Sequence, residues 1–314
     1  MATRVFIDGA AGTTGLEIHQ RLSGREAFEV VVLDDDTRKD PAARADALAA
    51  SDIAILCLPD DAAREAAAWL DPDAGTRIID ASSAHRTAPG WVYGFPELVG
   101  RKTIANAARV SNPGCYPTGF LALLAPLIRA KLLPAKAPYC VNAVSGFSGG
   151  GNAMIERYEN DRGIAFRTYA LDMAHKHLPE MQVHAGLKYP PVFSPAVVPA
   201  YRGMLVEIPL SLGPMRNATS PDALLATLQE YYENASLVRV HDSVPAELLI
   251  RRDDNTPHDG LDLYVAASPD GQQVRLIATL DNLGKGASGA AVQSLNLMTG
   301  QPETEGLSLP DRTA

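Results

Sequence analysis

The segment Asn112-Pro113-Gly114-Cys115-Tyr116-Pro117-Thr118 sets a thiol among turn-forming residues. Two prolines and a glycine define a sharp turn, and the apolar run Phe120–Ala130 that follows reads as a helix. Cys115 is thus expected at or just before a helix N-terminus. There the helix dipole and the first amides favour a thiolate. The same amides can hold an oxyanion formed on a carbonyl that the sulfur attacks. A buried, inert thiol is the commoner fate of cysteine. Cys57 and Cys140, both in apolar strand runs, fit that fate.

A sulfur nucleophile working on a carbonyl needs a proton donor and acceptor near neutral pH. Ala174-His175-Lys176-His177-Leu178-Pro179-Glu180 offers two imidazoles, with His177 the first choice, His175 the second, and Glu180 a candidate orienting partner. Two histidines flanking one residue, with no further Cys or His at metal spacing, are poor support for zinc, so no metal is expected.

A second kind of chemistry lies at the start of the chain. Gly9-Ala10-Ala11-Gly12-Thr13-Thr14-Gly15 directly follows a strand pattern and opens a helix pattern. This G-x-x-G-x-x-G spacing is a variant of the dinucleotide fingerprint. Its glycines allow a tight turn and close backbone approach, and the helix start presents N–H groups to a pyrophosphate. Gly9, Gly12, Thr13, Thr14 and Gly15 are the candidate contacts. The ribose signal is ambiguous. Asp34 stands where an acid would favour NAD by bonding the 2′-hydroxyl, yet Arg38 and Lys39 could hold a 2′-phosphate. Asp35 and Asp36 read as a solvated loop.

Three further segments are polar or glycine-rich. Ser145-Gly146-Phe147-Ser148-Gly149-Gly150-Gly151 reads equally as an anion-binding loop or a connection. Arg86, in Asp80-Ala81-Ser82-Ser83-Ala84-His85-Arg86, follows the fourth strand, where α/β ligand sites gather, and could clamp a phosphate. Asn282-Leu283-Gly284-Lys285-Gly286-Ala287-Ser288-Gly289 joins a strand to the last helix with small residues, which suits close approach to a ligand or another helix.

The elements that must carry these groups change character along the chain. Strand patterns at Arg4–Asp8, Glu29–Leu33, Ile53–Leu58 and Arg77–Asp80 alternate with helix patterns at Gly15–Leu22, Ala42–Ala50 and Asp61–Leu70. Such alternation implies βαβ units and a parallel sheet of Rossmann type. Later runs, Tyr139–Val144, Gly203–Leu212, Leu261–Ala267 and Val274–Leu280, show the period of two of a mostly antiparallel sheet. Pro221–Asn234 reads as a helix capped by Ser220, and Gly286–Leu297 as a last helix. The fold class is α/β, with a Rossmann-type domain followed by an α+β domain. The expected division is 1–114 for dinucleotide binding, with a C-terminal helix 285–314 packing back on it, and 115–284 for catalysis and oligomerisation.

The chain has 314 residues, 46% of them hydrophobic and 21% charged, the balance of an ordinary globular protein. A net charge of −9 argues against binding nucleic acid or an anionic membrane without a specific basic face. No apolar run approaches the roughly 20 residues of a membrane span. The N-terminus lacks the layout of a signal peptide. Three cysteines without tight spacing argue against a disulfide framework, so a reducing cytoplasm is expected.

Taken in order along nearly the whole chain, these motifs resemble N-acetyl-gamma-glutamyl-phosphate reductases of the shorter form. The Cys115 loop and its separation from His175-Lys176-His177 are the specific part, whereas the glycine loop is shared with many enzymes. The resemblance implies NADP(H) as cofactor, a small acyl-phosphate substrate and a place in arginine biosynthesis. Aspartate-semialdehyde and glyceraldehyde-phosphate dehydrogenases are the implied relatives. It makes Cys115 the nucleophile and His177 the acid–base group, and sets Arg86, Ser145, Gly146, His175, Glu180 and Arg202 at the substrate. Asn282, Lys285 and Gly286 are expected at the cofactor. A homo-oligomer, dimer or tetramer, is expected. The nearest rival is an aspartate-semialdehyde dehydrogenase-like acyl-phosphate reductase. A dinucleotide sensor without catalysis and a cysteine hydrolase are more distant ones.

Overall fold

The computed structural model describes residues 2–70, 75–215 and 220–309. The chain divides into two compact units, Met1–Pro113 with Ala287–Leu307, and Gly114–Gly286 with Ser308–Ala314.

The first unit contains β1 (Thr3–Asp8), α1 (Thr13–Leu22), β2 (Phe28–Val31), α2 (Pro41–Ala49), β3 (Ile53–Leu56), α3 (Asp60–Ala68), β4 (Arg77–Asp80), β5 (Val92–Tyr93), α4 (Pro96–Val99), α5 (Arg101–Ala105), β6 (Arg109–Ser111) and the helix Gly289–Thr299. The strands form one parallel sheet in the order β2-β1-β3-β4-β6-β5. Alternation along the strands feeds two cores. Val5, Ile7, Ile53, Ile55, Ile79 and Val110 pack with Ile18 and Leu22 of α1 and with Ala291, Val292, Leu295 and Met298. Phe6, Ala54, Leu56 and Ile78 pack on the other side with Leu48 of α2 and with Ala66 and Ala67 of α3. Burial on both sides explains why these strands read as unbroken apolar runs. The strand order reverses between β2 and β3, so the glycine loop leaving β1 lies at a topological switch point.

The second unit holds α6 (Cys115–Arg129), β7 (Cys140–Gly146), a 3₁₀ turn (Phe147–Gly150), α7 (Asn152–Asn160), β8 (Arg167–Thr168), α8 (Leu178–Ala185), β9 (Val192–Val198), β10 (Met204–Ser211), α9 (Pro221–Tyr232), β11 (Val238–Val240), β12 (Leu261–Ala267) and β13 (Gln273–Leu280). The seven strands run β11-β12-β13-β10-β7-β9-β8. Two neighbouring pairs, β11–β12 and β7–β9, are parallel, and the other pairs are antiparallel. Helix α6 is buried from Tyr116 to Leu127, as its all-round apolar composition requires. A Cβ on Gly119 would lie 2.9 Å from the side chain of Val206, so glycine lets this helix close on the sheet.

Three expectations need correction. The last helix, α10, covers only Gly289–Thr299, and the preceding turn Gly284–Ser288 is π-helical. Gly300, at φ 73°, ends it, so it does not extend over 285–314, of which 310–314 lie outside the described residues. Lys285, Gly286, Ser308 and Leu309 belong with the second unit. Cys140 is exposed. In β7 the residues Val141 and Ala143 face inward, and period two turns Cys140 and Asn142 outward.

Candidate active site

Cys115 is the first residue of α6, and Gly114 is its N-cap with φ −74° and ψ 150°. No side chain caps this helix start, and the carbonyl of Gly114 accepts bonds from the N–H and hydroxyl of Thr118. The first-turn amides of Cys115 and Tyr116 thus lie beside the thiol at the positive end of a 15-residue helix. Pro117, which has no N–H, adds no third donor. Cys115 is half-buried, open enough to react. Cys57 contrasts with it. Burial, with the carboxylates of Asp80 and Asp8 second and third, pushes the Cys57 thiol up to about 12.

The turn before Cys115 is held from α8. An oxygen of the Glu180 carboxylate, itself buried, accepts the N–H of Gly114 at 2.7 Å. Glu180, expected to orient His177 or meet substrate, thereby braces the cysteine turn. His177 is the N-cap of α8 and is buried. The Tyr116 ring contacts the rings of both histidines edge-on, at centroid distances of 5.9 Å for His177 and 6.1 Å for His175. His177 and Glu180 are thus both carried to the start of α6.

Gly286 closes the other side. A Cβ there would stand 2.9 Å from Cβ of Cys115 and 3.0 Å from the carbonyl oxygen of Asp281. Asn282 is buried and donates to the Ser148 hydroxyl at 2.8 Å. Gly149 packs there too, since a Cβ on it would lie 3.3 Å from both Asn282 Nδ2 and Ser145 Oγ. The Ser145 hydroxyl donates to the Gly146 carbonyl at 2.9 Å, and a Cβ on Gly146 would meet the Tyr201 and Ala200 carbonyls at 2.7 and 2.8 Å. Residues 145–150 therefore form a packed corner. Arg202 pairs with Asp281 at 2.8 Å, largely buried, and the two line a cavity of about 390 Å³ with Arg251, Thr256 and His258. Lys285 is fully buried.

In the first unit the glycine loop is shaped by steric need. Gly9 has φ +87°, and a Cβ on it would lie 2.3 Å from the Cys57 carbonyl oxygen. A Cβ on Gly15 would lie 2.5 Å from the Gly9 carbonyl oxygen. Gly12 caps α1, and Thr13 and Thr14 begin it. Such a tight loop, opening a helix at the switch point, fits the pyrophosphate of a dinucleotide. Beneath it, the buried Asp8 carboxylate takes two nitrogens of Arg44, and the Arg44 guanidinium lies 4.9 Å from the Trp69 ring centroid.

Arg86, expected to clamp a phosphate, is buried and donates to backbone carbonyls, those of Asn112 at 2.9 Å and Ala81 at 3.4 Å. Its neighbours form a closed turn, in which Asp80 accepts from Ser82 and contacts His85 Nδ1 at 2.6 Å, and His85 stacks on Trp91. Asp34 is exposed and accepts from the N–H and hydroxyl of Thr37, bonds that hold its carboxyl below the usual range. Arg38 is exposed and pairs with Asp35 at 2.8 Å, and Lys39 is exposed beside it. Nothing in the sequence pointed to Tyr169, whose hydroxyl reaches the Tyr116 hydroxyl and the His175 imidazole, because the stretch Phe166–Met173 has neither a motif nor a periodicity.

Two family models match this chain. Residues 34–107 fit "Semialdehyde dehydrogenase, NAD binding domain", and residues 115–282 fit "Semialdehyde dehydrogenase, dimerisation domain". A Pseudomonas putida N-acetyl-gamma-glutamyl-phosphate reductase is 49% identical over 309 residues, covering 96% of this chain and 98% of its own. The chain belongs to the N-acetyl-gamma-glutamyl-phosphate reductase family of semialdehyde dehydrogenases. A relative of the same name from Brucella ovis is 46% identical, covering 96% of this chain and all (100%) of its own. Solved structures share the fold at lower identity. Aspartate semialdehyde dehydrogenase II from Vibrio cholerae superposes with a TM-score of 0.69 at 18% identity, covering 96% of this chain and 99% of its own. A probable aspartate-semialdehyde dehydrogenase from Pseudomonas aeruginosa gives 0.70 at 16%, covering 95% and 98%. Among the described residues no helix is long and apolar enough to cross a membrane.

Proposed function

We propose that this protein reduces N-acetyl-gamma-glutamyl phosphate to N-acetyl-glutamate 5-semialdehyde and phosphate, with NADPH, in arginine biosynthesis. The observation that carries the mechanism is the half-buried Cys115 at the first position of α6, with Glu180 holding the turn before it and His177 at the start of the helix opposite.

The Cys115 thiolate attacks the acyl-phosphate carbonyl. The carbon–sulfur bond forms, the carbonyl electrons move to oxygen, and the first amides of α6 hold that oxyanion. Collapse expels phosphate and leaves a thioester on Cys115. The thioester keeps an electrophilic carbonyl tethered at Cys115, where it can accept hydride. Gly9, Gly12, Thr13, Thr14 and Gly15 would hold the dinucleotide, with Arg38 and Lys39 toward a 2′-phosphate and Asn282, Lys285 and Gly286 toward the nicotinamide end. When bound, that group supplies the hydride. His177 protonates the oxygen at the aldehyde level and takes the proton back as the carbon–sulfur bond breaks. Arg202, beside a polar cavity, is a substrate contact, whereas Arg86 and Glu180 act by holding backbone.

The aspartate-semialdehyde reading is weaker, since relatives at 46 to 49% identity carry the longer-substrate name and the aspartate enzymes share only 14 to 18%. Self-association is proposed through the outward face of the seven-stranded sheet, where Cys140, Asn142, Pro209, Gln273 and Arg275 are exposed. A reducing cytoplasm suits three free thiols.

The test is phosphate-dependent NADP reduction with each of the two semialdehydes, in wild type and Cys115→Ser. Preference for the N-acetylglutamate aldehyde is expected, with turnover lost and dinucleotide binding kept in the variant. Turnover near the wild-type rate in Cys115→Ser would remove the mechanism.

A further inference from the structure

Four polar groups from α6, the stretch after β8, and the approach to α8 form one hydrogen-bonded chain. The N–H of His177 donates to His175 Nδ1 at 3.1 Å. His175 Nε2 lies 3.3 Å from the Tyr169 hydroxyl. The Tyr169 hydroxyl donates to that of Tyr116 at 3.4 Å, and the Tyr116 hydroxyl donates to the Ala196 carbonyl at 3.1 Å.

The direction of this chain is set independently from both ends. A backbone N–H can only donate, so His175 Nδ1 must be the lone-pair nitrogen, and the proton of the neutral ring sits on Nε2. A carbonyl can only accept, so Tyr116 spends its proton on Ala196 and must accept from Tyr169. Tyr169 then has a lone pair left for His175 Nε2–H. Both ends of the chain require the same tautomer. The phenols suit the task. Burial raises Tyr116 well above its ordinary value and Tyr169 to about 12, so both keep their protons at neutral pH. The backbone between Tyr169 and His175 is held in an unusual shape, with Ala170 at φ 53° and Met173 at φ 60°, left-handed values that non-glycine residues seldom adopt. The His175 ring is further gripped edge-on by Phe193, at a centroid distance of 5.0 Å.

We propose that Tyr169 is a positioning residue for the reaction: its hydroxyl fixes His175 as the Nε2–H tautomer, and His175 in turn fixes the backbone at His177, the acid–base group. This rests on the reductase reading for His177's role. It also separates the two histidines, since both ring nitrogens of His175 are committed within the chain and His177 is left to move the proton.

The test has one arm that ignores catalysis. In wild-type protein labelled with ¹⁵N-histidine, His175 is expected to show the Nε2–H tautomer, and an Nδ1–H pattern would overturn the proposal. In the kinetic arm, Tyr169→Phe should lower kcat about tenfold while KM and dinucleotide affinity stay within about twofold. An unchanged kcat counts against it. The amide oxygen of asparagine can take the place of Nδ1, so His175→Asn should keep most of the rate that His175→Ala loses. Equal loss in both would mean that His175 does its own proton chemistry. Should Tyr169→Phe fold poorly, the spectrum and the His175 pair still decide. Failure of the reductase reading would appear instead as turnover in Cys115→Ser, which none of these arms measures.

Discussion

A Cβ at Gly286 would stand 2.9 Å from Cβ of Cys115, so the residue opening the approach to the last helix is shaped to the backbone of Cys115. The contact involves the Cys115 Cα as well, at 3.3 Å, and neither atom can rotate away. Gly286→Ala is therefore expected to push Cys115 out of line with its helix amides. We expect kcat to fall by about 10²-fold, the scale of a displacement near 1 Å at a reacting centre. Stopped-flow turnover, together with a melting curve to show that folding survives, checks this.

Glu180 supplies the brace under the same turn. Glu180→Ala leaves the Gly114 N–H without this acceptor, at a cost of about 1–3 kcal/mol. Glu180→Gln keeps an acceptor oxygen and should retain much of the stability and turnover. Urea denaturation of both variants reads the difference, and equal losses would show that the carboxylate charge, not the hydrogen bond, matters.

In the first unit, Gly9→Ala is blocked twice, by φ +87° and by the Cys57 carbonyl 2.3 Å from the new methyl. The loop must open to admit it. Loss of dinucleotide affinity by about tenfold or more is expected in a fluorescence titration. Gly12→Ala, with its nearest neighbour at 3.4 Å, should be milder.

The Asp8–Arg44 pair predicts a stability effect. Arg44→Met removes the cation and leaves the Asp8 carboxylate buried, which costs about 3–5 kcal/mol when a buried pair is broken. Chemical denaturation would show it. Replacing both members by apolar residues should recover part of the loss.

Alkali should destabilise the fold. Folding raises Cys57 and Tyr169 to about 12, so the folded state holds protons that the unfolded chain has already released. Their contribution is complete below the ordinary thiol and phenol ranges and is lost as pH rises toward about 12. Melting temperature should fall steadily above about pH 9, and Cys57→Ala should flatten the first part of that slope. By the same reasoning iodoacetamide at neutral pH should label the half-buried Cys115 and the exposed Cys140 but spare Cys57.

What the sequence by itself determined was local. Arg77–Asp80 and Leu261–Ala267 lie where their apolar patterns put them, Ser220 caps α9 through the Ala223 N–H, and the Pro-Gly turn puts Cys115 at a helix start. In each case the cause lies within a few residues, in side-chain period, cap chemistry or backbone restriction. Strand β9 escaped that logic because Pro195 argues against a strand interior, yet its neighbours pair with both β7 and β8. Strand β6 is three residues long, too short to show a period. The tertiary structure alone decided what each polar group does. Arg86 and Glu180 are the types that bind substrates, but packing turns them onto backbone, since a buried peptide group must find a partner. Tyr169 meets Tyr116 and His175 only because β8 pairs with β9 and α8 returns to α6. Hydrogen bonds between distant residues leave no period or spacing in the chain that makes them.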